Sequence, residues 1–573
     1  MFGPRHPACE ETHALKYREN GETFRQSVKR VARALADDSN HEHRLLDILL
    51  NQRFMPAGRV QAAMGAQRQT TPYNCFVSGT IHDSFVHGDD IEGQVSSIMG
   101  RATQAATTMR LGGGIGYDFS TLRPRKALIE KLHSHSSGPL SFMKIFNEIC
   151  LCTSSAGHRR GAQMGVMRID HPDILEFIQA KHNTDQFNGF NLSVGVTDEF
   201  MDCLARKSVF QLRFGGRVHG EIDAERLWEE LMESTWDWAE PGVLFIDRIN
   251  QMNNLWYCET IAATNPCGEQ PLPPHGACLL GSFNLPKYLE ARQGGHTFDL
   301  AQFMADIPDV VRAMDNVVDR AIYPLPEQAL EARSKRRMGL GVTGLANALE
   351  AVLGGPSYGS ESFLALQENI LSNLAWRAYQ ASAQLAQEKG SFPLYDERYL
   401  AGRFIKTLPP EIQGMIRKHG IRNSHLLSIA PTGTISFTAD NVSSSIEPVF
   451  EHVTRRPINT PEGQIVVDVP DYGFHNFKIK GKTTDEVTVN EHVNVLTTAA
   501  RLVDSAVSKT CNVPGNIPWS DFKGIYLRAF DGGAKGCTTF NKEGKRLALL
   551  TKAVNDEGQS CKIDPESGRR SCE

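Results

Sequence analysis

The spacing of apolar positions changes twice along the chain. In the first 54 residues it is helical: "GETFRQSVKRVARALADD" carries apolar residues at intervals near 3.6. From about residue 70, short apolar runs alternate with amphipathic stretches. "NLSVGV" is followed by Thr197, a good N-cap, and then by "DEFMDCLARK" with acid in its first turn. "VMRID" precedes "HPDILEFIQAK", and "GVLFI" follows a helix that starts after Asp223 and stops at Pro241-Gly242. A long helix is predicted over "ESFLALQENILSNLAWRAYQASAQLAQEKG", with Phe363, Ile370, Leu374 and Leu385 on one face and Gly390 as its stop. "HLLSIA" reads as a strand running into "PTGTIS". Apolar strands alternating with helices imply an α/β fold of mainly parallel strands covered by helices. The pattern does not separate an open sheet from a barrel. After about 545 the periodicity fades, and "AVNDEGQSCKIDPESGRRSCE" reads as a mobile polar tail. The organisation expected is a helical region over 1–54, a catalytic body over 55–545 and a tail over 546–573.

Composition narrows the function classes. The 573 residues are 40% hydrophobic and 22% charged, as in ordinary globular proteins. A net charge of −5 argues against broad affinity for nucleic acid or anionic membranes, but leaves room for a local anion site. No apolar run reaches the length of a membrane span, and the N-terminal stretch lacks a signal-peptide core. The compartment expected is the cytoplasm. Twelve cysteines, spread from position 9 to position 572, are too sparse for a disulfide scaffold. In a reducing compartment a disulfide among them is more readily catalytic than structural. No CxxC pair occurs, and His133, His135, Cys150 and Cys152 read as loop histidines and packed thiols, so no metal site is expected.

The segment "NPCGEQPLPPHGACLLGSFNL" holds the densest candidate chemistry. If it is extended, Asn265, Cys267 and Glu269 share one side. A carboxylate raises the pKa of a neighbouring thiol, which disfavours a thiolate nucleophile but not a thiol that loses a hydrogen atom. Glutamate can then take a proton from a substrate hydroxyl, and asparagine can orient that hydroxyl. The triplet alone equally suits a buried cysteine in a Pro-Gly loop. Cys75, in the strand-like "YNCFV", forms a reversible dithiol if it meets Cys278, and tail cysteines can reduce such a disulfide by exchange. The turn "PTGTIS" has the hydroxyls and backbone N–H groups of a phosphate site. "LGGGIG", Gly112 to Gly116, is either a close approach to a flat ligand or a tight turn at a strand end. The basic run "RSKRRMGLG" reads as a solvated face.

In this order, "NCFV", "LGGGIGYDFSTLRP", "NPCGE", "ACLLGSFNL", "RRMGLGVTGL", "PTGTIS" and "KGCTTF" resemble the catalytic chains of ribonucleotide reductases, most of all the adenosylcobalamin-dependent class II. The resemblance covers roughly residues 50 to 545. It implies a ten-stranded α/β barrel of two five-stranded parallel halves, antiparallel to each other, with a central finger loop. It implies that Cys267 is the radical cysteine, Glu269 the base and Asn265 a hydrogen-bonding partner, with Cys75 and Cys278 as the reducing dithiol. It places substrate at Asn74, Gly114 and the turn Pro431, Thr432, Gly433, Thr434 and Ile435. It places a deoxynucleotide effector near Asp83 and Arg123, and a shuttle pair at Cys561 and Cys572. The eleven-residue separation of that pair is wider than the family's short spacings. A ribonucleotide substrate, adenosylcobalamin as cofactor, a thioredoxin-like reductant and a homodimer follow as expectations, with no nucleic-acid or membrane partner.

Departures from the other classes support this choice. About 50 residues precede "FMPAGR", too few for the regulatory ATP domain common in class I. Phe540-Asn541 stands where class I carries a radical-relaying tyrosine pair, and the glycyl-radical motif of class III is absent. The alternatives are a class I large subunit that needs a separate radical-generating subunit, a non-catalytic nucleotide-binding relic, and a glycyl-radical lyase.

Overall fold

Three helices, Pro7–Tyr17, Phe24–Leu35 and Ser39–Leu50, precede the first strand of the computed structural model. The structure describes residues 2–86, 95–155, 159–160, 162–182, 186–460, 463–545, 562–563 and 570–571. The second helix is fixed at its start by a Thr23–Gln26 capping box, and it buries Phe24, Val28, Val31 and Leu35. The periodic apolar face read from the sequence is therefore the face that packs.

Five strands lie side by side in chain order, all parallel: Cys75–Val77, Gly114–Asp118, Gln163–Arg168, Phe190–Val196 and Gly242–Phe245. They are buried almost throughout, as a parallel sheet covered by helices requires. Beyond the last of them, Gly536–Asn541 runs antiparallel and pairs in parallel with Thr510–Val513. At the opposite edge, Ala277–Cys278 runs antiparallel to Cys75–Val77. In a second sheet, Leu280–Asn284 pairs antiparallel with Phe54–Pro56 and parallel with Gly339–Thr343. The covering helices include Asp198–Arg206, capped by Thr197, Ala224–Trp238, capped by Asp223, and Glu361–Lys389, capped by Ser360 and followed by Gly390 at φ +82°. The fold is α/β. Among the described residues, no helix is long and apolar enough to cross a membrane.

Two local readings change. "HLLSIA" does not form a ladder strand: only isolated parallel bridges join Leu340 to Leu427 and Ile429 to Val507. The Asp504 carboxylate accepts the N–H groups of Leu426 and Leu427 at 2.7 and 3.0 Å, so a side chain takes donors that a neighbouring strand would use. The basic run is not a solvated face either. Lys335, Arg336 and Arg337 are buried where a helix end turns into the strand Gly339–Thr343. Arg336 bonds Asp315 and Asp319, and Arg337 and Lys335 both bond Glu259. Buried cations persist in a core only with such partners.

Candidate active site

A short hairpin carries the cysteine–glutamate motif. Ala263–Thr264 pairs antiparallel with Pro271–Leu272, and residues 265–270 form its tip. Asn265 closes that tip. Its N–H donates to Gln270 O at 3.1 Å, its Oδ1 accepts from Gln270 N at 2.9 Å, and its carbonyl accepts from Gly268 N at 3.0 Å. Gly268 sits at φ +81°, a conformation glycine adopts at little cost. The tip is thus a closed turn rather than the extended segment the alternation suggested.

Both sheets hold this hairpin. A Cβ on Gly116 would lie 1.8 Å from Thr264 O, so the hairpin's base rests on bare strand backbone. Asn191 Nδ2 donates to Pro266 O at 3.0 Å. From the other side, Ser428 Oγ and Ala506 N each donate to Glu269 O at 2.9 Å. A Cβ on Gly339 would lie 2.4 Å from Gln270 Nε2. The motif is held by its backbone, which leaves the Cys267 and Glu269 side chains to face a cavity.

That cavity has a volume of about 410 Å³. Cys267, Glu269, Cys75, Asn74 and the turn from Pro431 to Ile435 line it. Cys267 is 3% exposed, packs against Ala162 and is disulfide-bonded. Cys75 and Cys278 are thiols directly opposite each other across the antiparallel pair. Burial, then the nearby Cys75 and Glu269, push the Cys278 pKa well above the ordinary thiol range, with Arg337 opposing. The carboxylate effect anticipated for Cys267 is therefore seen at Cys278, which stays protonated at neutral pH. Gly114 lies beside Cys75 in register, and a Cβ there would come 3.2 Å from Cys75 Sγ and 3.1 Å from Pro266. Its lack of a side chain makes room for the thiol and the hairpin. Asn74 Oδ1 and Asn265 Nδ2 are buried polar atoms without a hydrogen-bond partner among the described residues. Such atoms are what an absent ligand would satisfy.

The Pro431–Ile435 turn leads into the short helix Gly433–Phe437. The Thr432 hydroxyl is already engaged: it lies 2.7 Å from Thr343 Oγ1 and accepts from Ser445 N at 2.7 Å. Thr432 thus fixes the turn. The backbone of Arg570–Ser571, paired with Lys562–Ile563, runs near the helix Gly433–Phe437. Cys561 and Cys572 lie outside the described residues. Asp83 and Arg123 do not line the cavity and form an ion pair with each other. Lys16, Arg59, Arg68 and Ser282 also line the cavity and are not among the site residues expected from the motifs. Cations and serines of this kind occur on every surface, so only the fold reveals them.

Residues 74–540 match the family model described as ribonucleotide reductase, barrel domain. The chain is similar to the vitamin B12-dependent ribonucleoside-diphosphate reductase of Mycobacterium tuberculosis (strain CDC 1551 / Oshkosh), at 33% identity over 525 residues. That match covers 84% of this chain and 71% of the relative. It is also 33% identical over 494 residues to the protein of the same name from Thermoplasma acidophilum, covering 81% of this chain and 61% of that protein. Similarity to the vitamin B12-dependent ribonucleotide reductase of Streptomyces coelicolor is 26% over 610 residues, covering 91% and 62% respectively.

Proposed function

The chain belongs to the ribonucleotide reductase family, and we propose that it reduces ribonucleotides to 2′-deoxyribonucleotides with adenosylcobalamin as radical source. One observation carries this reading: Cys267, Glu269, Cys75 and Asn74 line a single cavity, and Cys278 lies opposite Cys75. The cavity volume of about 410 Å³ suits one small ligand.

Adenosylcobalamin, when bound, supplies the initiating radical by homolysis of its cobalt–carbon bond. What this chain offers that chemistry is the Cys267 thiol, a hydrogen-atom donor held on a buried tip at the cavity wall. The role belongs to reduced Cys267. As a thiyl radical it takes the 3′ hydrogen of the ribose, while Glu269 accepts the 3′ hydroxyl proton. The 2′ hydroxyl leaves as water, with a proton from the Cys75–Cys278 dithiol. A thiol kept protonated by burial suits that task better than a thiolate. The dithiol gives up two electrons and two protons and becomes a disulfide. One proton leaves in the water, the other hydrogen goes to C2′, and Glu269 returns its proton to the 3′ oxygen. Cys267 returns its hydrogen to C3′ and regains its radical. Asn265 Nδ2 and Asn74 Oδ1 supply unused polar atoms for the ribose and its substituents. Gly114 and the Pro431–Ile435 turn are the proposed remaining substrate contacts, the turn taking phosphate.

The barrel reading has support of the same kind. Leu280–Asn284, Gly339–Thr343, the 427–429 segment, the 507–513 segment and Gly536–Asn541 follow one another through parallel pairings and bridges. They make a second set of five, set against the first by antiparallel pairings at Val243–Cys537 and Cys75–Cys278. Ten strands with the hairpin between them are the proposed architecture. Asp83 and Arg123 as effector contacts, Cys561 and Cys572 as a shuttle to a thioredoxin-like reductant, and a homodimer complete the proposal. The approach of Arg570–Ser571 to the helix Gly433–Phe437 supports the tail's part in it.

The test is turnover of cytidine di- and triphosphate by the purified chain with dithiothreitol, with and without adenosylcobalamin and a deoxynucleotide effector. Cobalamin-dependent product is expected, and Cys267→Ser abolishes it. Substantial product from that variant, or product only after addition of a separate radical-generating subunit, would refute the reading.

A further inference from the structure

The catalytic motifs occupy only part of the cavity wall. Lys16, Arg59 and Arg68 line it as well, and Glu269 is the one acidic side chain among its described lining residues. Lys16 stands in the last turn of the helix Pro7–Tyr17, outside the stretch that matches the barrel family.

Local packing sets these cations in place. The next residue, Tyr17, packs its ring on the helix Gly58–Ala63, where a Cβ on Gly58 would lie 2.6 Å from Tyr17 Cε1. That helix carries Arg59. Arg68 Nη2 donates to Arg18 O at 2.6 Å, just beyond the end of the first helix. The Arg59 guanidinium lies against Gly112, where a Cβ would stand 2.5 Å from Nη1, and Gly112 adopts φ +93°. The first glycine of "LGGGIG" therefore leaves space for an arginine at the cavity rather than for a flat ligand.

Three cations that share a cavity wall with a phosphate-type turn, where Glu269 is the one carboxylate among the described lining residues, suit a multiply charged anion. We propose that Lys16, Arg59 and Arg68 are the cationic half of the binding site for the substrate's polyphosphate, so that the N-terminal helix is part of the substrate pocket. The ligand class is a nucleoside di- or triphosphate, and the inference rests on reading the cavity as the ribonucleotide site. A guanidinium can grip two phosphate oxygens at once, while the lysine acts as a point charge.

The experiment titrates inorganic pyrophosphate into the full-length chain and into Lys16→Gln, Arg59→Gln and Arg68→Gln by calorimetry. It also measures KM for cytidine diphosphate in cobalamin-supported turnover. Each variant is expected to weaken pyrophosphate binding and raise KM roughly tenfold or more, the loss falling on KM more than on kcat. Lys16 and Arg68 are partly or largely exposed, so their variants keep the test valid if Arg59→Gln fails to fold. Pyrophosphate affinity identical in the folded variants and the parent chain, or no binding by the parent, overturns the proposal. Pyrophosphate binding needs no turnover. A chain that binds it through these cations yet makes no deoxynucleotide would sink the enzymatic reading and leave the anion site standing.

Discussion

One oxygen of Glu350 accepts three backbone N–H groups, from Ser357, Tyr358 and Lys482, at 2.9 to 3.1 Å. Its second oxygen is buried without a hydrogen-bond partner among the described residues. Burial wins over those three bonds and raises the carboxyl pKa from 4.5 to about 7, with Asp471 adding to the rise. The folded chain therefore holds a proton that the unfolded chain releases. The stability this gives is fully present below the ordinary carboxyl pKa and is lost as pH rises through about 7. The full effect is on the order of 3 kcal/mol. Glu350→Gln keeps the accepting oxygen and removes the titration. Urea unfolding at about pH 5 and about pH 8 should then show a smaller loss of stability for the variant, by roughly 2 kcal/mol. Parallel losses in the two proteins would mean that Glu350 is not the group responsible. Nothing in the sequence marks this glutamate, because one of its donors comes from a segment 132 residues away and its burial from the packed fold. Cys267 and Glu269 are legible for the opposite reason: their spacing within one Pro-Gly segment is itself the signal.

The hairpin that carries those two residues lies on strand backbone, and Gly116 is the point of contact. An alanine there meets a carbonyl oxygen that no rotamer change can move aside. The hairpin or the strand must shift. Overpacking of this kind costs about 1–3 kcal/mol, and a shift of about 1 Å at the tip costs on the order of 100-fold in kcat. Gly116→Ala should therefore fold, melt a few degrees lower and turn over far more slowly. A normal kcat would show that the hairpin's seat does not set the position of Cys267. At this scale the sequence predicts helices and their caps well, since Thr197 and Asp223 act within a few residues of their partners. It fails where a distant side chain intervenes. Asp504 takes the N–H groups of Leu426 and Leu427, and the apolar run loses its ladder. Asn265 folds its own amide oxygen back onto Gln270, and an apparently alternating triplet becomes a turn.

The α/β class is legible along the whole chain because each strand and its following helix are sequence neighbours. The seams are not. Cys75 meets Cys278, and Val243 meets Cys537, across hundreds of residues that periodicity cannot bridge. The basic run shows the same limit, since its carboxylate partners at 259, 315 and 319 lie on other elements. The Cys75–Cys278 seam joins the first five parallel strands to the segment that continues into the second sheet. Residues directly opposed across antiparallel strands have Cα atoms about 4.5–5.5 Å apart, within the range a disulfide spans. Oxidation at this seam therefore needs little backbone movement. It closes a loop of roughly 200 residues, which restricts the unfolded chain by up to about 5 kcal/mol. The oxidised protein should thus melt several degrees above the dithiol form, and Cys75→Ser should remove that difference. Calorimetry of both proteins in a Cys267→Ser background, each with and without dithiothreitol, measures it, since dithiothreitol also reduces the Cys267 disulfide. An equal shift in the variant would assign the effect to other cysteines. A lower melting point on oxidation of the parent chain would mean that closing the seam strains the two sheets against each other. Between these outcomes lies the question of whether the seam is built to open and close without disturbing the strands around it. A reducing dithiol placed there must do so at every turnover.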